Sequence, residues 1–129
     1  MRITKELSGL PIERTLGVIS GRWKALIIYV LLDGPKRICE LENQIVGVSQ
    51  KVLIEQLRVL EEHGLLFRQN FPDEPQRVDY TLTPLGMSLK PILSLLYDWG
   101  QHHAEELHEA DKILPCEAVV RSTVEKQKN

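Results

Sequence analysis

The side chains best spaced for chemistry lie in the segment Ser49-Gln50-Lys51-Val52-Leu53-Ile54-Glu55-Gln56-Leu57-Arg58. At about 100° per residue, Lys51, Ile54, Glu55 and Arg58 fall within one arc of a helix. An ammonium and a guanidinium on one helical edge can donate to purine edges and to phosphate oxygens. Ser49 and Gln50 add short polar groups at the helix start. Ile54 offers a methyl-rich contact of the kind a thymine methyl accepts. Four further cations stand within reach in sequence: Lys36 and Arg37 upstream, Arg68 and Arg77 downstream. This is the chemistry of gripping a polyanion. An ordinary amphipathic helix with a solvated charged face carries the same residues, so the flanks must decide.

Other chemistry is thinly supported. The sequence holds no nucleophile elbow, phosphate loop or HExxH pattern, so no catalytic residue and no enzyme are expected. His102, His103 and His108 lie near Glu105, Glu106 and Glu109. His102 and Glu106 are one helical turn apart, yet a third ligand at helical spacing is not evident. A solvated late helix is expected there, with no metal and no cofactor. Cys39 and Cys116 are far apart and lack metal-ligand spacing, which argues against a disulfide scaffold or structural zinc. Cys39 lies beside core positions of a predicted helix and is expected to pack rather than to sense.

Composition sets loose bounds. At 129 residues the chain suits one domain with one core. Lys and Arg number 16 against 18 Asp and Glu, so any polyanion grip must come from cations gathered on one face. The N-terminus lacks a signal-peptide core. The longest apolar run, residues 25–32, is far short of the roughly 20 residues a membrane span needs. A cytoplasmic protein away from any membrane is expected.

The elements that must position the basic edge follow from periodicity. Pro11 opens a short helix striped by Ile12, Leu16 and Ile19, and Ser20-Gly21 closes it. Residues 23–32 are apolar nearly all round, as in a helix buried on most sides, until Asp33-Gly34-Pro35 stops them. Ile38, Leu41 and Ile45 share one face of a next helix, with Lys36 and Arg37 at its N-terminus, where phosphate is also attracted. Gly47 suits a sharp turn and Ser49 an N-cap. Leu53, Leu57 and Leu60 form the buried back of the basic helix, 49–63, and Gly64 ends it.

Beyond Gly64 the period changes to a strand pattern over 65–71 and again over 78–82, around a loop at 72–77. Arg77 is the candidate for a cation reaching a minor groove, and Arg68 stands at the base. Asp73 and Glu74 are expected to point away. Thr83-Pro84 restarts a helix that runs to about Leu114, with Pro91 expected to kink or break it. Its apolar residues exceed what a core of this size uses, which suggests a partner helix from a second copy. Residues 115–129 carry no pattern and read as a frayed tail. Helix, helix, helix-turn-helix, hairpin and long helix in this order make a winged helix-turn-helix, mainly α with a small β-hairpin wing at 65–82. The expected divisions are an N-terminal helix at 9–21, a winged helix-turn-helix core at 22–82 and a C-terminal helix at 83–114.

The chain also resembles the HxlR-type winged-helix transcriptional regulators, relatives of the MarR group. The likeness runs from about Leu10 to Gln101. It rests on Ile19-Ser20-Gly21-Arg22-Trp23, Pro35-Lys36-Arg37-Ile38-Cys39-Glu40-Leu41 and Gly47-Val48-Ser49-Gln50-Lys51-Val52-Leu53. It continues through Leu57-Arg58-Val59-Leu60-Glu61-Glu62-His63-Gly64-Leu65, Pro75-Gln76-Arg77-Val78-Asp79-Tyr80-Thr81-Leu82-Thr83-Pro84-Leu85-Gly86 and Trp99-Gly100. The resemblance implies a homodimer joined through the first and last helices, which makes 9–21 and 83–114 dimerisation helices and 22–82 a DNA-binding core. Leu10, Ile12, Leu16, Ile92, Leu95, Leu96 and Trp99 are the candidate interface residues. It also implies that Ser49, Lys51 and Arg58 face a major groove and that Arg77 lies on the wing.

Family members commonly carry a cysteine before the proline that opens the first helix, in some of them as a redox switch. Leu10 holds that position here, which excludes thiol sensing through it. Ile38 replaces a usual phenylalanine, and Ile54 stands where a hydroxyl residue is common. The expected activity is transcriptional regulation, by repression as the family default, on a near-palindromic duplex. A small effector between the helices is compatible with this, though no residue picks one out. The alternative is a winged-helix protein-interaction module without DNA binding, supported by the acidic balance, by Glu55 on the reading face and by the acidic wing tip.

Overall fold

The computed structural model describes residues 7–113. The expected helix end at Leu114, the tail at 115–129 and Cys116 lie outside them. The elements run α1 (Pro11–Ile19), α2 (Arg22–Leu31), α3 (Ile38–Gln44), α4 (Gln50–Glu62), β1 (Leu66–Phe71), β2 (Glu74–Leu82), α5 (Pro84–Met87) and α6 (Lys90–Glu106), then a 3-10 turn, Ala110–Lys112. The chain is mainly α with one antiparallel β-hairpin, as its periodicity predicts.

Leucine and isoleucine spacing builds the core. Ile27, Ile28 and Leu31 of α2, Leu41 of α3, Ile45 just after it, and Leu53, Leu57 and Leu60 of α4 are each no more than 2% exposed. Burying one such side chain contributes about 1.5–3 kcal/mol, so this seam dominates the stability of the domain. Leu65, Leu66, Tyr80 and Leu82 close it from the base of the hairpin.

Local signals fix the ends of α4. Gly47 turns the chain at φ 93° between α3 and α4, and the Ser49 hydroxyl accepts the Val52 N–H at 3.2 Å. Gly64 takes φ 80°, with its N–H on the Glu61 carbonyl and the Leu65 N–H on the Leu60 carbonyl, both at 3.0 Å. That paired closure is a Schellman motif, which a left-handed residue makes possible.

The hairpin departs from the expected loop. β2 begins at Glu74, so the connection shrinks to Pro72 and Asp73. Register runs Leu66↔Leu82 to Asn70↔Val78, then jumps to Phe71↔Glu74. Pro75, which has no N–H for a ladder, lies in the irregular stretch that absorbs the extra residues. Lys36 adds a single bridge to the sheet: its N–H donates to the Tyr80 carbonyl at 3.0 Å, and the Tyr80 N–H donates back at 2.8 Å.

The helix expected over 83–114 is interrupted. Thr83 caps α5, its hydroxyl accepting the Gly86 N–H at 3.0 Å. α5 ends after Met87, and Pro91 stands in the first turn of α6. Pro91 cannot donate to the Met87 carbonyl, so a continuous helix loses a bond there and the chain starts a new one. α6 closes at Leu107, with His108 left-handed at φ 59° and the Glu109 N–H on the Ala104 carbonyl at 2.6 Å. The long C-terminal helix is therefore α6 alone.

Candidate nucleic-acid interface

α4 presents one edge to solvent because its leucines hold the other inward. Gln50, Lys51, Glu55 and Arg58 are exposed, and Ile54 is 44% exposed, opposite the buried Leu53, Leu57 and Leu60. The same arc extends to Glu61 and Glu62 at the C-terminal end. Ser49 is exposed, with its oxygen engaged as the cap.

The remaining sequence candidates cluster around the hairpin base. Lys36 is half-buried, and its backbone is fixed to Tyr80. Arg37 is exposed at the N-cap of α3, its N–H donating to the Glu40 carboxylate at 2.9 Å. Arg68 pairs with Tyr80 across the ladder from the other side. Lys36, Tyr80 and Arg68 therefore stand in one row across the sheet.

The arginines here are engaged. Arg58 Nη1 meets Glu62 Oε2 at 3.1 Å. Arg68 Nε lies 3.9 Å from Glu61 Oε1. Arg77 is folded back along the wing rather than extended from it. Its Nε and Nη2 donate to the two Asp79 oxygens at 3.3 Å each, and Nη1 donates to Glu74 at 3.2 Å. Its guanidinium lies 4.3 Å over the Phe71 ring. The hydrogen bonds it donates to Asp79 are the main reason its pKa is raised, with smaller help from Glu74 against partial burial. Glu74, expected to point away, is one arm of this clamp. No ion pair is recorded for Lys36, Arg37 or Lys51 among the described residues.

The sequence reading missed Asp79 and Phe71. The Arg77-x-Asp79 spacing puts both on one strand face, a legible signal once residue 77 is taken as strand. Cys39 corrects another expectation. It is exposed on α3, because the helix turns it past the buried face of Leu41.

The candidate interface residues of the outer helices all face solvent. Leu10, Ile12 and Leu16 are 61%, 78% and 54% exposed, and Ile92, Leu95, Leu96 and Trp99 are 37%, 68%, 46% and 65% exposed. Trp99 stacks on His103 one turn on, with centroids 5.0 Å apart. Between α2 and α6 lies a cavity of about 520 Å³, whose lining includes Leu26, Tyr29, Leu32, Leu93, Leu96 and Tyr97 together with Lys90. Among the described residues no group of His, Cys, Asp and Glu could hold a metal. Nor is any helix among them long and apolar enough to cross a membrane.

A helix-turn-helix whose second helix leads directly into a β-hairpin is a winged helix-turn-helix, the class that this fold and this edge define. The family described as HxlR-like helix-turn-helix matches residues 18–108. The chain is 48% identical over 94 residues to a Bacillus subtilis (strain 168) protein, the "uncharacterized HTH-type transcriptional regulator YkvN". That match covers 73% of this chain and 80% of YkvN. The solved structure of the redox regulator HypR in its reduced form superposes with a TM-score of 0.70 at 37% identity, covering 76% of this chain and 97% of that one. A structure of the reduced transcriptional regulator YodB from B. subtilis gives a TM-score of 0.70 at 36% identity, over 78% of this chain and 98% of its own. The chain belongs to the HxlR-like helix-turn-helix family of transcriptional regulators.

Proposed function

We propose that the chain is a homodimeric, sequence-specific regulator that binds double-stranded DNA, with α4 in the major groove and the β1–β2 wing at the neighbouring minor groove. The observation that carries this is the two-sided character of α4: Lys51, Ile54 and Arg58 exposed on one side, Leu53, Leu57 and Leu60 buried on the other. A helix held rigidly by its back can offer its front to base edges. Lys51 and Arg58 read purines or phosphates, and Ser49 and Gln50 act near the helix start. Ile54 meets thymine methyls. Lys36, Arg37 and Arg68 grip the backbone, and Arg77 joins them when its clamp opens. Repression follows if the occupied site excludes polymerase. An effector, if one acts, has the cavity between α2 and α6 open to it, where it would bear on both the reading domain and the outer helix.

The test is fluorescence anisotropy on duplexes from the gene's own upstream region. If the dimer neutralises about 6–8 phosphates, log K falls against log salt with a slope of about −5 to −7. The Lys51→Ala/Arg58→Ala variant should bind at least tenfold more weakly while melting at the same temperature. Equal binding by wild type and variant, or a flat salt response, rejects the reading.

A further inference from the structure

The expected cations of α4 and the wing are not presented alike. Arg58, Arg68 and Arg77 each meet a carboxylate, from Glu62, from Glu61, and from Glu74 and Asp79. Lys51, at the N-terminal end of the same helix edge, forms no ion pair among the described residues. The outer arc of α4 thus opens on Lys51 and closes on Glu61 and Glu62, with Glu55 and Arg58 between them.

We propose that Glu61, Glu62 and Glu74 are selectivity residues: they hold Arg58, Arg68 and Arg77 against indiscriminate phosphate contact and release them where a duplex offers a better partner. The inference rests on the DNA-binding reading above and adds to it a role for acidic side chains. The Arg68–Glu61 and Arg77–Glu74 pairs expose their carboxylates and are weak, so a well-placed acceptor can displace them, whereas the Glu62 side chain is only 19% exposed and holds Arg58 more firmly. A displaced carboxylate then stands beside phosphates and is repelled, whatever the sequence. The gain on the other side depends on sequence, because a bidentate guanine edge gives an arginine more than a passing phosphate does. A fixed penalty set against a variable reward lowers binding everywhere and leaves the correct site least affected.

Asp79 is different. It is buried and holds Arg77 through both its oxygens, so it sets the wing's shape. Glu61 and Glu74 have side chains 40% and 58% exposed, and their isosteric amides should fold normally.

The experiment compares the full chain with Glu61→Gln/Glu74→Gln, with Glu62→Gln, and with Glu105→Gln as a control. Glu105 is exposed on α6, so that variant changes charge away from the arginines. Binding is measured to the upstream duplex and to a scrambled duplex of equal composition, over a range of salt. For Glu61→Gln/Glu74→Gln, affinity for the scrambled duplex should rise about fivefold, and its salt slope should steepen by roughly 1 as Arg68 is freed, while Arg77 loses its Glu74 arm and stays on Asp79. Affinity for the upstream duplex should rise less, so the preference falls about threefold. Glu62→Gln should show the same trend, and Glu105→Gln should leave the preference unchanged. An unchanged preference in the α4 and wing variants, or an equal change in Glu105→Gln, overturns the proposal. A wild type with no preference for the upstream duplex overturns the DNA-binding reading itself, and this inference with it.

Discussion

Ser49 has two demands on one hydroxyl. Its oxygen caps α4 at 3.2 Å from the Val52 N–H, and it sits where the helix start would approach a duplex. Losing such a cap costs about 1 kcal/mol. Ser49→Ala should therefore lower the urea-unfolding free energy by about that amount and weaken DNA binding as well. Ser49→Asp separates the two demands, because aspartate is also a good cap and suits the positive end of the helix dipole. That variant should melt like the wild type yet bind DNA more weakly than Ser49→Ala, since it brings a carboxylate to the phosphates. If Ser49→Asp binds as the wild type does, the start of α4 does not approach the duplex. At the same scale, Cys39 shows how easily a single position misleads. It adjoins Ile38 in sequence, but one step along a helix turns a side chain by about 100°, and that step carries it from the core to solvent.

Between α5 and the hairpin the packing is tight enough to forbid one extra carbon. A Cβ on Gly86 would overlap the Leu65 carbonyl oxygen, which already accepts the Thr83 N–H at 3.0 Å. Thr83 ties the same corner, donating to the Gly64 carbonyl at 2.7 Å. Gly86→Ala must push α5 off the hairpin base, and its destabilisation should reach about 3 kcal/mol in urea titration. An unchanged midpoint would mean that α5 and the hairpin can part freely. Elements with a strong period and chemical stops were the legible ones. α4 combines Leu53, Leu57 and Leu60 with Ser49 and Gly64, and its limits agree with the sequence. The Lys36–Tyr80 bridge is one residue pair and has no period to detect. The start of β2 was hidden because Pro75 resembles loop chemistry, and with it went the strand register that aligns Arg77 with Asp79. The Arg58–Glu62 pair was readable as i, i+4, but the sequence alone did not choose that rotamer over one reaching outward.

For the molecule as a whole, the unexplained quantity is apolar surface. Leu89, at the N-cap of α6, and Leu93 within it pack on the core, while Ile92, Leu95, Leu96 and Trp99 face outward, as do Leu10, Ile12 and Leu16 at the other end of the described chain. Exposed large side chains gathered on terminal helices suit a surface that pairs with its own copy, since a two-fold axis uses each residue twice. A monomer places one α4 on a duplex. Two copies related by a two-fold can place theirs in successive major grooves about one helical turn apart, which converts two weak contacts into one selective one. Leu95→Glu tests this directly, because it sets a carboxylate on each side of the pairing surface without touching the core. Burial of a leucine contributes about 1.5–3 kcal/mol, and the two-fold doubles it, so association should weaken by at least a hundredfold. Sedimentation velocity should show a monomer with unchanged helical circular dichroism. Binding to a duplex with both half-sites should fall towards that of a single half-site, and inserting 5 base pairs between half-sites should hurt the wild type but not the variant. A Leu95→Glu protein that remains dimeric would move the pairing surface elsewhere. A wild type indifferent to the insertion would mean that its two reading helices do not act on the duplex together.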